Sequence, residues 1–172
     1  RAFAMPGAPG RAVSVNAIRK GADPVDLSAK GERFTWDVPE GEWRVVWAVE
    51  RVLPVKPGWV MDNMIDVMNP RAVQTFIRLT HEATYAHFGA EFGKTIKGFF
   101  SDETGFRNIT SYDSLPGHPG MPMPWSPAYV DFFKRLKGYD PRSRLAALWY
   151  DIGPSGRKTR YDLMDAYSRA FA

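Results

Sequence analysis

The feature that most constrains the fold is an alternation of strand-like and helix-like segments in the middle of the chain. Residues 43–51 are dense in valine and tryptophan, residues 69–88 carry a helical pattern, and residues 95–101 form an apolar run. Two strands joined through one helix pair in parallel with a right-handed crossover. The run "IKGFF" is apolar on both faces, which is typical of a sheet covered on both sides. This pattern predicts a β/α barrel or a doubly wound sheet.

Nucleotide-binding motifs help to decide between these two folds. No Gly-x-Gly-x-x-Gly follows a strand and no Gly-Lys-Ser/Thr loop is present, which disfavours the doubly wound sheet. We therefore expect an α/β fold, namely a partial (β/α)8 TIM-barrel segment preceded by a short β-rich region. Residues 1–35 would form that β-rich region or linker at the edge of a preceding domain, and residues 36–172 part of the barrel. A complete barrel needs about 250 residues, so the chain would be an internal piece of a longer protein.

Three predicted helices begin in the same way, with a capping residue followed by proline at Asn69-Pro70, Ser126-Pro127 and Asp140-Pro141. A last helical segment covers roughly residues 160–172, and its inward positions would be Tyr161, Met164, Tyr167 and Phe171. The first helix would close at Gly89 and would turn one apolar stripe toward the core. The members of that stripe are Val73, Phe76, Ile77, Thr80, Thr84, Tyr85 and Phe88.

Composition excludes several classes of function. The formal net charge is +4 and the basic residues are scattered, so we expect no nucleic acid partner. No apolar run approaches the roughly 18 to 20 residues that cross a bilayer, so we expect no membrane span. The absence of cysteine excludes disulfides, thiolate metal sites and a cysteine nucleophile.

The candidate catalytic residues are two adjacent acids at the end of the apolar run, Asp102 and Glu103. Residues at the carboxyl ends of barrel strands form the active site of such folds. Neighbouring strand residues point to opposite sides, so only one acid would face the barrel mouth. We take Glu103 as the reacting group and Asp102 as its support; two solvated acids at a strand end are the alternative.

Candidate substrate-binding residues lie on either side of these acids. The long segment 104–124 mixes aromatic, amide and charged residues, among them Tyr112, and Trp125 follows it. Rings that stack on C–H faces beside polar groups that take hydroxyls suit a sugar, although Trp125 could equally be a hydrophobic plug. Asp66, just before the first helix, could bind a hydroxyl or a cation, or could simply favour the helix N-terminus. The pair His81-Glu82 lacks the second histidine of a metalloprotease motif, and a packed histidine is the preferred interpretation.

Several of these motifs occur together in one known family. The stretches "DNMIDVMNPRAVQTFIRLTHEATYAHFGAEFGKTIKGFFSDETGF" and "PWSPAYVDFFKRLKGYD" resemble glycoside hydrolase family 106, the α-L-rhamnosidase-like glycosidases. The matching elements are Asp66, Asn69 to Val73, Thr80 to Tyr85, Phe92 to Glu103, Pro124-Trp125 and Gly138 to Asp140. The similarity covers roughly residues 36–150. One departure is Thr104, where the family pattern has proline.

The resemblance implies a multidomain, periplasmic or secreted enzyme that removes terminal α-L-rhamnosyl residues from polysaccharides or glycosides with inversion. Glu103 would be the general acid, and the general base would lie beyond Ala172. The resemblance also implies calcium near the sugar. The remainder of the same polypeptide would complete the barrel, so the isolated chain should be inactive. Two alternatives stay open: a non-catalytic carbohydrate-binding or scaffolding segment, and another barrel glycosidase such as a β-galactosidase-like enzyme.

Overall fold

Five short strands form two antiparallel sheets in the computed structural model, which describes residues 1–7, 10–51, 65–100 and 123–171. The strands are Ala2–Ala4 (β1), Arg11–Ile18 (β2), Val25–Asp26 (β3), Arg33–Thr35 (β4) and Arg44–Glu50 (β5). β1 pairs with β4 in a two-stranded sheet, and β2 lies between β3 and β5 in a three-stranded sheet. β2 and β5 pair along their full lengths, with a register shift between Ala12 and Ser14 that marks a β-bulge.

Aromatic side chains cover one face of the three-stranded sheet. Val15 and Ala17 of β2 are buried on this face. The partly buried rings that pack against them are Phe34, Trp36, Trp43 and Trp47. Phe3 of β1 stacks on Phe34 with the ring centroids 5.5 Å apart. The two sheets are therefore joined through an aromatic layer, in which each ring removes a large apolar surface from water.

The opposite face of this sheet is covered by a 3₁₀-helical segment, Pro141–Leu148, which is kinked at Arg144 where φ is −141°. Alternate residues of β2 point to it, as the two-residue period of a strand requires. The Asn16 Nδ2 donates to the carbonyls of Arg142 and Ser143, at 3.0 and 3.3 Å, and its Oδ1 accepts from the Ala146 N–H at 3.0 Å. β2 is thus the middle of three layers, which explains why its second half is entirely buried.

Four α-helices are present in the described residues. They are Pro70–Ile77 (α1), Ala83–Phe88 (α2), Pro127–Lys137 (α3) and Gly156–Phe171 (α4). A π-helical turn, Arg78–Glu82, joins α1 to α2 without interruption, and short 3₁₀ helices cover Ser28–Lys30 and Gly89–Glu91.

The three cap-proline starts are confirmed as helix beginnings. The side chains of Asn69, Ser126 and Asp140 each accept a hydrogen bond from the backbone N–H two residues later. Such a cap satisfies one of the N–H groups that a helix leaves without an internal partner. The third of these helices is 3₁₀ rather than α. Gly138 ends α3 with a φ of 78°, a left-handed conformation that glycine adopts without steric cost.

The main hydrophobic core joins α3 and α4 to the sheet. Tyr129 of α3 and Tyr167 of α4 are both buried and stack with centroids 4.3 Å apart and ring planes 8° from parallel. The Tyr129 hydroxyl donates to the Leu163 carbonyl at 3.0 Å. Ala48 of β5 and Met68 lie in the same cluster. One core is therefore shared by residues that lie far apart in the sequence, namely residue 48, residue 68 and residues within 123–171.

The predicted fold class is wrong. The described residues contain no parallel strand pair, because β5 pairs antiparallel with β2 instead of running beside a strand at 95–101. Residues 97–100 have no regular secondary structure, and Phe92 and Ile96 form only an isolated bridge. Two small antiparallel sheets with helices do not constitute a barrel segment.

The helical segment 70–91 differs from the rest in its burial. None of its residues is buried. Leu79 is 66% exposed and Tyr85 61%. The apolar stripe predicted to face the core is therefore correct in its spacing but does not face a core within the described residues.

Across the described ranges, no helix combines the length and the apolar character that crossing a membrane requires.

Candidate functional site

The predicted site residues divide into two groups. Asp102, Glu103 and Tyr112 lie outside the residues that the structure describes, so their roles stay predictions. Asp66 and Trp125 lie within them.

Asp66 forms a tight turn that leads into α1. Its Oδ1 accepts from the Met68 N–H at 3.1 Å, and its backbone carbonyl accepts from the Asn69 N–H at 3.0 Å. A carboxylate that bonds the backbone two residues later is the usual chemistry of an Asx turn. The residue is partly exposed. Asp66 therefore has a local structural role and retains carboxylate surface that could accept a hydrogen bond from a ligand hydroxyl.

Trp125 lies directly before the cap of α3 and is half-buried. Its ring meets Tyr129 edge-on at a centroid distance of 6.0 Å. The preceding carbonyl of Pro124 accepts a hydrogen bond from the Tyr167 hydroxyl at 2.7 Å. Two core tyrosines thus hold this dipeptide in place. This packing agrees with the alternative interpretation of Trp125 as a hydrophobic plug. Because the residue is only half-buried, part of its ring surface remains available to a ligand.

Asp66 and Trp125 are anchored to the same hydrophobic cluster. Met68, two residues after Asp66, is buried in the cluster that contains Tyr129, and Trp125 packs against its edge. The fold therefore brings the loop before α1 and the loop before α3 to one core, although the two loops are far apart in the sequence.

A cluster of charged residues lies between α3 and α4, and its carboxylates are paired with lysines. Asp162 is 4% exposed and forms ion pairs with Lys137 and Lys158, while the Tyr139 hydroxyl donates to it at 3.1 Å. Burial by itself raises the pKa of Asp162, but hydrogen bonds from the two lysines and the tyrosine outweigh it and hold the pKa below its usual value. An ionised, fully paired carboxylate of this kind stabilises the helix pair and is poorly suited to donate a proton.

The calcium implied by the resemblance finds no ligand set here. Among residues 1–7, 10–51, 65–100 and 123–171, no group of three or more His, Asp or Glu side chains is placed to hold a metal ion. Asp66 by itself supplies too few oxygens for an ion that takes six to eight. Calcium therefore stays a prediction, and no chemical step is derived through it.

One cavity was not foreseen from the sequence. It has a volume of about 320 Å³ and is lined by His81, Glu82, Tyr85, Ala86, Phe92 and Phe99; we call it the His81 cavity. Sequence reasoning interpreted His81 as a packed histidine and Tyr85 as a core residue. The adjacent His81-Glu82 pair, beside aromatic positions, was the available signal.

Comparison with known proteins identified no relative: no family model, no curated protein and no solved structure matches the chain.

Proposed function

We propose that this chain contributes the general acid, Glu103, to a glycoside hydrolase that removes terminal α-L-rhamnosyl residues from polysaccharides or glycosides. The observation that carries the proposal is the co-occurrence of six spaced motifs between Asp66 and Asp140. Several motifs in one order are far more specific than a lone pair of acids. A polysaccharide substrate places the parent protein in the periplasm or outside the cell.

The chemistry of the proposed reaction requires two carboxyl groups with opposite protonation states. The carboxylic acid of Glu103 gives its proton to the glycosidic oxygen as the bond to the anomeric carbon breaks. A carboxylate on the other face of the sugar takes a proton from water, whose oxygen forms the new bond with inversion. Such pairs stand roughly 6.5–9.5 Å apart, so that the water fits between them.

Asp102 does not suit the role of general base, since adjacent residues direct their side chains to different sides. In the mechanism that the resemblance implies, the base belongs to another part of the parent polypeptide, and the 172-residue chain alone is then expected to be inactive. The Glu103 carboxyl must stay protonated near neutral pH, which requires a desolvated, partly apolar environment. The apolar residues Phe99 and Phe100 precede it in the chain.

The described residues support substrate binding in this scheme. Asp66 would accept hydrogen bonds from sugar hydroxyls, and Trp125 would pack its exposed ring surface on a C–H face of the sugar. Both are held by backbone hydrogen bonds or core packing, so little ordering is required when ligand binds.

The decisive experiment compares Glu103→Gln with wild type in the full-length parent protein on two rhamnosides. One carries an aryl group that leaves easily, and the other a methyl or sugar group that needs protonation. We expect activity on the second substrate to fall by roughly 10²–10⁴-fold and activity on the first to fall much less. Glu42→Gln, at an exposed position between β4 and β5, is the matched control and should be unaffected. Equal rates for Glu103→Gln and wild type on both substrates would remove Glu103 from this role.

Carbohydrate binding without hydrolysis is the second candidate, and the aromatic lining of the His81 cavity favours it. Calorimetric titration of the chain with rhamno-oligosaccharides separates the two functions. Binding of sugar by a parent protein that hydrolyses neither substrate would support the second candidate.

A further inference from the structure

The outer edge of β5 is the longest strand edge that is left unpaired within the described part of the chain. In the three-stranded sheet, β5 pairs with β2 on one side only. Among its seven residues only Ala48 is buried, whereas the second half of β2 is entirely buried. A strand edge of this length presents a row of backbone N–H and C=O groups to which another strand can add.

The hydrogen bonds of Val15 show which backbone groups of β5 point to this outer edge. The Val15 N–H donates to Ser28 Oγ at 3.1 Å and its carbonyl accepts from the Leu27 N–H at 2.8 Å, and both partners directly follow β3. Residues directly opposite in an antiparallel pair either exchange both backbone bonds or turn these groups away from each other. Trp47 is the partner of Val15 in β5, so its N–H and carbonyl point away from β2.

Two further residues of β5 share this direction, Val45 and Val49, because backbone groups alternate along a strand. Outside the ladder with β2, none of the backbone hydrogen bonds among the described residues uses these three positions. Natural proteins commonly protect such an edge with lysine or proline on the strand. The run 44–50 contains neither, and its one arginine and one glutamate give it no net charge. This composition is typical of a strand that pairs.

The sequence of β5 is complementary to itself when two copies run antiparallel. With a twofold axis at Trp47, Arg44 of one copy lies opposite Glu50 of the other, and Val45 lies opposite Val49. Residues directly opposite each other share one face of a sheet, so the Arg44 and Glu50 side chains meet at both ends of the pair. Opposite charges at such positions stabilise a strand pair, and like charges destabilise it.

The surroundings of Arg44 and Glu50 are compatible with this contact. Arg44 is exposed, and its guanidinium lies over the Tyr150 ring at 5.4 Å from the centroid. The Glu50 side chain is 28% exposed and accepts from Arg11 through one oxygen, Oε2, at 2.5 Å. A carboxylate has about four acceptor sites on its two oxygens, so Glu50 can bind a second guanidinium.

We propose that β5 is a self-association edge through which two copies of this chain pair antiparallel about Trp47. Three strands from each copy then form one sheet in the order β3-β2-β5-β5-β2-β3. The same edge is used on both copies, so the contact closes at a dimer. One strand pair buries less than the roughly 1,200–2,000 Å² of a stable interface, so we expect a weak dimer with a Kd of about 10–100 μM. The proposal is independent of the glycosidase activity.

The test is sedimentation velocity of the 172-residue chain between about 1 and 500 μM, where we expect a monomer–dimer equilibrium without larger species. Arg44→Glu places an acid opposite Glu50 at both ends of the pair and should weaken the dimer by roughly 10–100-fold. Glu50→Arg should weaken it by a similar factor. Lys20→Glu makes the same change of charge as Arg44→Glu at an exposed turn, and should change the Kd by less than about twofold.

An equimolar mixture of the Arg44→Glu and Glu50→Arg chains separates pairing from an effect on folding. One chain then has two acids at the ends of β5 and the other has two arginines, so opposite charges meet again at both ends. We expect the mixture to dimerise about as tightly as wild type, while each variant alone is largely monomeric at about 50 μM. Loss of stability in either variant would not be reversed by mixing.

A backbone variant tests the edge itself. Val49→Pro removes an N–H that points outward and leaves the bonds to β2 in place, which is the position where an edge strand tolerates proline. It should prevent dimerisation, with urea unfolding as the check that the chain is folded. A chain that stays monomeric at about 500 μM would overturn the proposal. So would a dimer that Arg44→Glu does not weaken, which would place the contact on another surface, or a mixture that shows no recovery.

Discussion

Replacing Asn16 by alanine should destabilise the protein more than any other single change of a polar side chain in β2. The side chain is 1% exposed and makes three hydrogen bonds to the 3₁₀ helix 141–148. Each bond contributes about 0.5–1.5 kcal/mol, and a buried group that loses its partner costs more. The carbonyl of Arg142 keeps a bond from the Ser14 hydroxyl at 2.6 Å. The expected loss of unfolding free energy is therefore roughly 2–4 kcal/mol.

Urea denaturation measures this loss, with the slope m as a check that the unfolded state is unchanged. Ser14→Ala is the matched control, because it removes one bond to the same carbonyl and should cost only about 1 kcal/mol. Asn16→Asp keeps the bond from the Ala146 N–H but places a carboxylate against two carbonyl oxygens, so it should be at least as destabilising as Asn16→Ala near neutral pH. A loss for Asn16→Ala no larger than that for Ser14→Ala would refute the three-layer arrangement.

Two further predictions concern packing and charge. A Cβ at Gly153 would collide with the backbone of Ala22 and Asp23, so Gly153→Ala should cost roughly 1–3 kcal/mol in urea unfolding; Gly7→Ala, in open space, should change stability by less than about 0.5 kcal/mol. The pKa of Asp162 is lower in the folded state, so its pairing stabilises the fold above the unfolded value of about 3.9 and the benefit is lost as pH falls through the folded pKa. The stability difference between wild type and Asp162→Asn should therefore be large near neutral pH and shrink below about pH 4, and a difference independent of pH would contradict the ion pairing with Lys137.

Helix beginnings were predictable because capping is local chemistry. Ser126-Pro127 encodes a side-chain acceptor followed by a residue whose fixed φ suits the first helical position, and no tertiary contact is needed to express it. The end of α3 at Gly138 depends on equally local chemistry, because glycine adopts the left-handed conformation without steric cost. The segment after Asp140 was predicted as a helix, but neither its 3₁₀ geometry nor its kink at Arg144 was predicted.

The fold was not predictable because an apolar run specifies neither the strand with which it pairs nor whether it is buried. Residues 44–50 form an apolar run of the kind that parallel strands show. Here the second face is covered by a 3₁₀ helix and the neighbouring strand is antiparallel. Sequence reasoning assigned burial on both faces to the run 96–100 instead, where Phe99 is 55% and Phe100 is 89% exposed, and that assignment was wrong. Pairing partners are set by tertiary contacts, which a local pattern does not specify.

The orientation of α4 shows the same limit. Tyr161 was expected to point inward, and it is 68% exposed, whereas the small Ala166 is fully buried beside Tyr167. Size and hydrophobicity favoured Tyr161, but close packing against α3 selected the face with alanine. Of the site, Asp66 and Trp125 were found from local sequence, as an acid just before a helix and an aromatic residue after a long segment of mixed composition. The His81 cavity required the chain reversal at Gly93.

The motifs that suggest a glycosidase do not all carry the same weight once their structural roles are known. Asn69, Trp125 and Asp140 belong to motifs that the fold already explains through helix caps and core packing. The segment from Thr80 to Tyr85 has no such explanation, because none of its residues is buried and its polar side chains at the cavity are unused.

Exposed large apolar residues in one region are informative, since they mark surfaces that bind something. Within the described residues, 80–85 and 92–100 are therefore the segments where a binding surface is best tested. Substitutions at the helix caps should lower stability and leave the affinity for sugar unchanged. Substitutions at His81, Tyr85 or Phe99 should lower the affinity and leave stability unchanged. If every variant of both kinds changed sugar affinity and stability together, the motif Thr80 to Tyr85 would have no function separate from folding. The resemblance would then reflect the fold alone.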